Sequence, residues 1–491
     1  MKAKYFKSGI FAAAVLLGMA AVSCADDIVV GRWTNDGGLD GIYENNLLLK
    51  DALTNKSDNQ VELWDESYTT SLKLSFTKVP AEGFTAKASF DAAYLETYNA
   101  ENGTDYLLYP AEEVSFGNDG VFSAASHSAD WTVDMTIAGT ELEVDKTYLV
   151  PVAVTSQSAD VTISEEAGHC VYIIQDMRSA PNCHKGEDLP KGFLFYEVND
   201  ANPLNTLAFE LENGKLLWDC IVLFAANINH DSEANRPYVK CNPNVQFLLD
   251  NNEIYLQPLR KRGVKVLLGI LGNHDQAGVA QLSDSGARDF AAELARYCGA
   301  YNLDGVNFDD EYSSSPDVSN PAYTYASATA AARLCYETKK AMPDKLVTVF
   351  SYGLMGIYSF PTEMDGEPIS KWVDIAVPNY GSSCSPRGDM TYKACAGLAA
   401  EFNLGGGSDL SKSAAERLLS TGYGWFMGFA PDPMKTGYNS SWIDKSHWQN
   451  IFNRLSGAET LYGSKLKDPT IFYKKNDPTP YRYPEDLPDT K

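Results

Sequence analysis

The sequence predicts a (β/α)8 barrel of the TIM type preceded by a small all-β sandwich. Three observations predict it. Between residues 46 and 175, short stretches alternate apolar and polar side chains with period two, as half-buried antiparallel strands do. From residue 191 the strands become continuously apolar and alternate with helical stretches, as strands buried on both faces do. Between the two patterns, DMRSAPNCHKGEDLP at 176–190 is polar with two prolines and reads as a linker.

The elements follow in chain order. Lys2, Lys4 and Lys7 form a basic start, and residues 9–22, GIFAAAVLLGMAAV, are apolar but too short to span a bilayer comfortably. The run ends in Ala21-Val22-Ser23-Cys24, which resembles a bacterial lipobox. The expectation is a signal peptide at 1–23, lipidation of Cys24, and an exported lipoprotein at the outer membrane or cell surface, touching the membrane only through its anchor. Residues 24–45 suit a tether. In the sandwich, 46–175, SLKLSF puts Leu72, Leu74 and Phe76 on one face, and WTVDMTI alternates Trp131, Val133, Met135 and Ile137. A helical stretch at about 91–101 interrupts these strands. The sandwich holds no convincing catalytic cluster and reads as a spacer or carbohydrate-binding module.

The barrel is expected over 191–470, with a tail at 471–491. Its strands are FLFYEV (193–198), CIVLFAAN (220–227), KVLLGILG (265–272), LDGVNFD (303–309), KLVTVFS (345–351), VDIAVPNY (373–380) and YGWFMGFA (423–430), with a weaker one near 388–404. Helical stretches lie at 284–299, 322–342 and 411–421. Eight such units over this length favour a closed barrel. A doubly wound open sheet is the alternative, but neither GxGxxG nor a P-loop is present to favour it.

Composition narrows the function. A formal charge of −25 repels phosphate backbones and anionic lipids, so nucleic acid is an improbable partner and neutral substrates such as glycans fit better. Apart from Cys24 there are eight cysteines, none in a CxxC pair or at zinc-site spacing, and the six histidines form no HExxH or HxH cluster. No metal and no cofactor are expected, and the chain is expected to act as a monomer. Export would permit disulfides, but the spacing does not pair them.

The informative segment is LDGVNFDDEYS, 303–313, an apolar strand ending abruptly in acids. Side chains alternate along a strand, so Asn307, Asp309 and Glu311 share a face, which in a barrel points inward at the C-terminal rim. Alternate Cβ atoms lie about 6–7 Å apart at a rise of about 3.3 Å per residue. Two carboxyls that close disfavour double ionisation, and the raised pKa is expected on Glu311, as a general acid requires. A bare acid triplet would be an ordinary solvated loop; this string is longer. Its spacing matches DGxDxDxE, and with it the chain resembles glycoside hydrolase family 18, in particular the endo-β-N-acetylglucosaminidases. FYEVND (195–200) with Pro203-Leu204-Asn205, LFAANIN (223–229), VKVLLGILGNHDQAG (264–278), MPDK (342–345), PNYG (378–381) and GYGWF (422–426) carry the resemblance across residues 191–460. The sandwich resembles accessory domains of Bacteroidota surface lipoproteins.

The resemblance implies hydrolysis of the chitobiose core of N-linked glycans, high-mannose chains being the class it is closest to, by a substrate-assisted oxazolinium route. N-glycans or N-glycoproteins are then the partners. Glu311 would protonate the leaving oxygen, Asp309 would orient the acetamido group, and Tyr380 would hydrogen-bond its oxygen. The first inner Asp of the signature is Asn307 here, which is expected to donate to Asp309 instead. Further sugar contacts are expected from Tyr196, Glu197, Asn227, Asn273, His274 and Asn379. Trp425 is a candidate floor under the sugar or, equally, barrel packing. Two alternatives stand beside this reading. One is a chitinase-like hydrolase, although chitinases usually carry an acid after the sixth-strand Tyr and Gly381 follows here. The other is a surface glycan-binding protein without catalysis, although such proteins typically lose the terminal Glu.

Overall fold

The computed structural model describes residues 45–124, 131–143, 146–159, 161–164, 167–186, 188–432 and 445–486. Cys24, the signal segment and all of the tether but Asn45 lie outside the described residues. The chain divides into two compact units, Met1–Arg178 and Ser179–Lys491.

The first unit is a β-sandwich. One sheet contains Leu47–Asp51, Ser67–Phe76, Trp131–Ala138 and Val114–Phe116; the other contains Asp58–Leu63, His169–Asp176, Thr147–Ser156 and Ala86–Phe90. Its period-two alternation is the cause: Leu72, Leu74, Val133, Met135 and Ile137 are buried in one core with Val150, Val152, Tyr172 and Ile174 of the facing sheet. The helix Tyr94–Asn102 ends at Gly103, whose φ of 66° suits a residue without Cβ. It packs Tyr98 against Leu149, Val171 and Ile173. The pairing departs from an all-antiparallel sheet where Asp58–Leu63 runs parallel to His169–Asp176 and Leu107–Leu108 runs parallel to Thr147–Ser156.

The second unit is the barrel. Its strands are β1 (Lys191–Glu197), β2 (Trp218–Asp231), β3 (Lys265–Leu271), β4 (Gly305–Phe308), β5 (Leu346–Ser351), β6 (Ile375–Pro378), β7 (Ala396–Glu401) and β8 (Trp425–Phe429). Neighbours pair in parallel in the order β6-β5-β4-β3-β2-β1-β8-β7. A parallel bridge between Ala376 and Cys395 joins β6 to β7 and closes the ring. β2 runs on beyond the barrel and folds back with Arg236–Lys240 as a hairpin. The inward residues are aromatic and small: Phe193, Phe195, Val222, Leu267, Phe350, Val377, Ala399 and Met427 fill the interior. The outward ones, such as Leu194, Tyr196, Ile221, Val306 and Phe426, meet the helical layer.

The described parts of the segments read as linker, from Ser179 on, and as tail, up to Asp486, belong to the barrel unit. Cys183 is buried, and Lys185 pairs with Asp219 at 2.8 Å. Ile471–Tyr473 and Pro480–Arg482 form a small hairpin, tied in where Asn205 donates to the Tyr473 carbonyl (2.8 Å) and accepts from its N–H (2.7 Å).

A recurring device fixes the lower end of the barrel. Asp219, Asp304 and Asp374 each accept a backbone N–H of a neighbouring strand, from Gly192, Val266 and Val347 respectively, and each pairs with a cation, Lys185, Arg260 or Lys339. The Asp of the D-G start is thus an anchor and not part of the acid cluster. Burial pushes the Asp304 carboxyl up, but the Arg260 and Val266 hydrogen bonds outweigh it and hold it below the usual range. Asp304→Ala strands both donors, and is expected to cost about 3 kcal/mol. A lowered urea midpoint of the barrel transition with an unchanged slope would show it.

Candidate active site

The C-terminal ends of the strands converge on a cavity of about 570 Å³, the size of a small-molecule site. β1 contributes Phe195 and Glu197, β2 Phe224, β3 Leu271, β5 Phe350 and β8 Phe429. Asp309, Glu311 and Tyr312 enter just beyond β4, Tyr352 beyond β5, and Asn379 and Tyr380 beyond β6. The Asp309 N–H still bonds the Ile270 carbonyl (3.0 Å), so the strand direction persists long enough to aim the acid inward. The chain then turns sharply at Tyr312, whose φ of 59° is left-handed. The turn leans on Gly272, where an added Cβ would sit 2.3 Å from the Glu311 carbonyl oxygen.

Burial separates the two acids. Asp309 is 3% exposed, whereas Glu311 is half-buried at the rim. Desolvation first, then the charges of Glu311 and Asp310, push Asp309 far above the usual carboxylate range. Glu311 is also raised, by burial and by Asp310. The expected rise on Glu311 is thus present, and Asp309, the deeper carboxyl, is raised beside it. Asp310 turns away from the cavity and accepts from the Leu354 N–H at 2.8 Å. Its own pKa is raised by burial.

Tyr380 packs between Phe350 (6.1 Å between centroids) and Phe429 (5.6 Å). Its phenol is raised above its ordinary value by burial and by the charges of Glu401, Asp309, Glu311 and Glu197. It is therefore a neutral donor within reach of the acids' field. Asn379 lies beside it, its side-chain oxygen accepting from the Tyr380 N–H at 2.7 Å. Glu197 accepts from both the backbone and side chain of Asn199 (3.2 and 2.7 Å) and is raised by burial.

Other expected contacts lie elsewhere. Tyr196 is fully buried on the outer side of β1, because alternation allows only one of Tyr196 and Glu197 to face in. Asn307 is fully buried and donates to Thr348 Oγ1 at 2.8 Å, not to Asp309; among the described residues, neither its Oδ1 nor Asp309 Oδ1 has a hydrogen-bond partner. Asn227 donates to the Leu271 and Gly272 carbonyls, and Asn273 to Asn229 at 3.0 Å, so both brace loops at the rim. His274 is exposed outside the cavity lining, with its ring 5.4 Å from that of Tyr312. Trp425 begins β8 at the opposite end of the barrel, edge-on to Phe193, and is not the floor. Four residues on, at the rim end of the same inward row, Phe429 lines the cavity.

A family model described as "-like, N-terminal domain" matches residues 43–161. Endo-β-N-acetylglucosaminidase F1 of Elizabethkingia meningoseptica is 45% identical over 278 residues, 56% of this chain and 80% of that protein. An endo-β-N-acetylglucosaminidase of Flavobacterium sp. (strain SK1022) is 31% identical over 255 residues, 51% of this chain and 79% of its own. Among solved structures, Bacteroides thetaiotamicron EndoBT-3987 with Man5GlcNAc product is 57% identical, covers 89% of this chain and 100% of its own, and has a TM-score of 0.59. The same relative's complex with Man9GlcNAc2Asn substrate aligns at 54% identity with the same coverage and TM-score.

Proposed function

The chain belongs to the endo-β-N-acetylglucosaminidases of glycoside hydrolase family 18, and from that premise we propose that it releases high-mannose N-glycans by a retaining, substrate-assisted reaction. It is a hydrolase that cuts N-glycans at the chitobiose core. The observation that carries the finer reading is the convergence of Asp309, Glu311 and Tyr380 on one cavity.

In this scheme the acetamido oxygen of the sugar on the non-reducing side attacks its own C1. The C1–O bond to the second N-acetylglucosamine breaks, and Glu311 gives its proton to the departing oxygen. Tyr380 donates a hydrogen bond to the acetamido oxygen and fixes its line of attack. Asp309 accepts from the acetamido N–H. The positive charge that develops on the oxazolinium favours the ionised form of Asp309, against the burial that opposes it. Water then attacks C1, Glu311 takes back a proton, and the ring opens with the β configuration restored. The nucleophile belongs to the substrate, so attack is intramolecular and gains from high effective concentration.

Mass spectrometry of a high-mannose glycoprotein tests this. The expected product keeps one N-acetylglucosamine on asparagine. An intact glycan after prolonged incubation with excess enzyme would sink the proposal, and turnover of chitin oligomers in its place would point to a chitinase-like enzyme.

A further inference from the structure

We infer that Tyr312 and Tyr352 form the platform for the leaving N-acetylglucosamine, the sugar that stays on the protein. This rests on the reading of the site given above and adds the side of the cavity that the acid, base and acetamido-binding groups leave unassigned.

Ring contacts link the walls of the mouth. Tyr380 contacts Phe350, and Phe350 contacts Tyr352 at 5.9 Å between centroids, so Tyr352 lies one ring beyond the group that would hold the acetamido oxygen. The charges that press on the Tyr312 phenol are Glu311 first, then Asp309 and Tyr352. Tyr312, whose ring meets His274 beyond β3, thus flanks the acid on the side away from Tyr380 beyond β6, and Tyr352, beyond β5, joins it at the same mouth. The proton donor faces the bond being broken, so the ring beyond it belongs to the leaving sugar.

Both rings line the cavity yet stay open to solvent, at 56% and 41% exposure. An aromatic ring held half-open at a cavity rim offers an apolar face to the C–H face of a pyranose and a hydroxyl to its edge. The backbone strengthens the assignment. Tyr312 has φ 59°, and His274, whose ring faces it, has φ 58°. The His274 N–H donates to the Tyr312 carbonyl at 2.6 Å, and Ser314 Oγ donates to the His274 carbonyl at 3.0 Å. Two non-glycine residues in the left-handed region cost free energy, and such strain collects where a side chain must be aimed. Here it aims an exposed ring beside the acid.

The test uses Tyr312→Asn. Asparagine tolerates a positive φ, so this variant removes the ring while suiting the turn. Two substrates are compared: an intact high-mannose glycan on asparagine, and the same glycan released and preformed as its oxazoline, which has no leaving sugar. Y312N is expected to lower kcat/KM on the intact glycan by about 10- to 100-fold, as loss of one aromatic contact does. The loss on the oxazoline should be at least tenfold smaller, and Tyr312→Phe should restore most of the intact-glycan rate. Equal losses on both substrates, or no loss on either, would overturn the assignment while leaving the enzyme's reaction intact. A wild type that left the glycan uncut would remove the reading of the whole site, and this assignment with it.

Discussion

Glu311→Gln is expected to lower kcat on an N-glycan by about a thousandfold while leaving KM nearly unchanged. Glutamine keeps the shape and the hydrogen-bonding reach of the side chain but has no proton to give. In the wild type, burial and the Asp310 charge both raise the carboxyl and so favour the protonated form that an acid needs. The sugar would still bind, since Tyr380, Asn379 and the aromatic walls are untouched. Time courses of released glycan, paired with calorimetric binding to the uncut glycan, separate the two effects. A wild type as inert as the variant, with equal binding, would instead identify a glycan-binding protein.

This acid was legible in the sequence because its information is local. A continuous apolar strand, a D-G start and acids at every second position are contained in eleven consecutive residues. The barrel was legible for a related reason: strands buried on both faces cannot hide their composition. β7 was the weakest because its residues are Ala, Gly and Leu, which carry little strand signal.

The rest of the site is set by contacts between strands, and there the local rules give out. Alternation says that Glu197 and Tyr196 face opposite ways but not which faces in; the ladder partners of β1 decide it. The partner of Asn307 is Thr348, across the β4–β5 seam, because the two are paired in register. A sequence reading confined to one strand reaches for Asp309 instead. On β8 the inward row Trp425, Met427, Phe429 was visible, but its depth in the barrel was not; Trp425 pairs with Lys191, the first residue of β1, and so lies at the bottom. Gly272 is the least legible of all. It stands as one glycine among several in its segment, and only the approach of the Glu311 carbonyl and of Ser313 makes it indispensable.

Asp309→Asn is expected to remove at least a hundredfold of activity and yet raise stability at neutral pH. The activity loss follows because asparagine supplies no charge opposite the oxazolinium, and a misplaced electrostatic partner of this kind costs about 10²- to 10³-fold. The stability gain follows from the sign of the shift. The folded chain holds the Asp309 proton to a pH well above the ordinary 3.8. Between those two values the native state binds more protons than the unfolded one, so this group's contribution falls as pH rises through the folded pKa. At neutral pH the buried side chain therefore opposes folding, whether by its charge or by the proton it must retain. Asparagine removes that opposition, and each kcal/mol gained should raise the melting temperature by about 2–4 °C. Glu311, Asp310 and Glu197 are raised as well, so some decline with pH will persist. Melting curves at pH 5, 6, 7 and 8 on both proteins measure the difference. It should widen with pH. A variant less stable than wild type at pH 8 would mean that the Asp309 charge is already compensated in the folded chain, and that the site does not store the electrostatic strain which substrate binding is here argued to relieve.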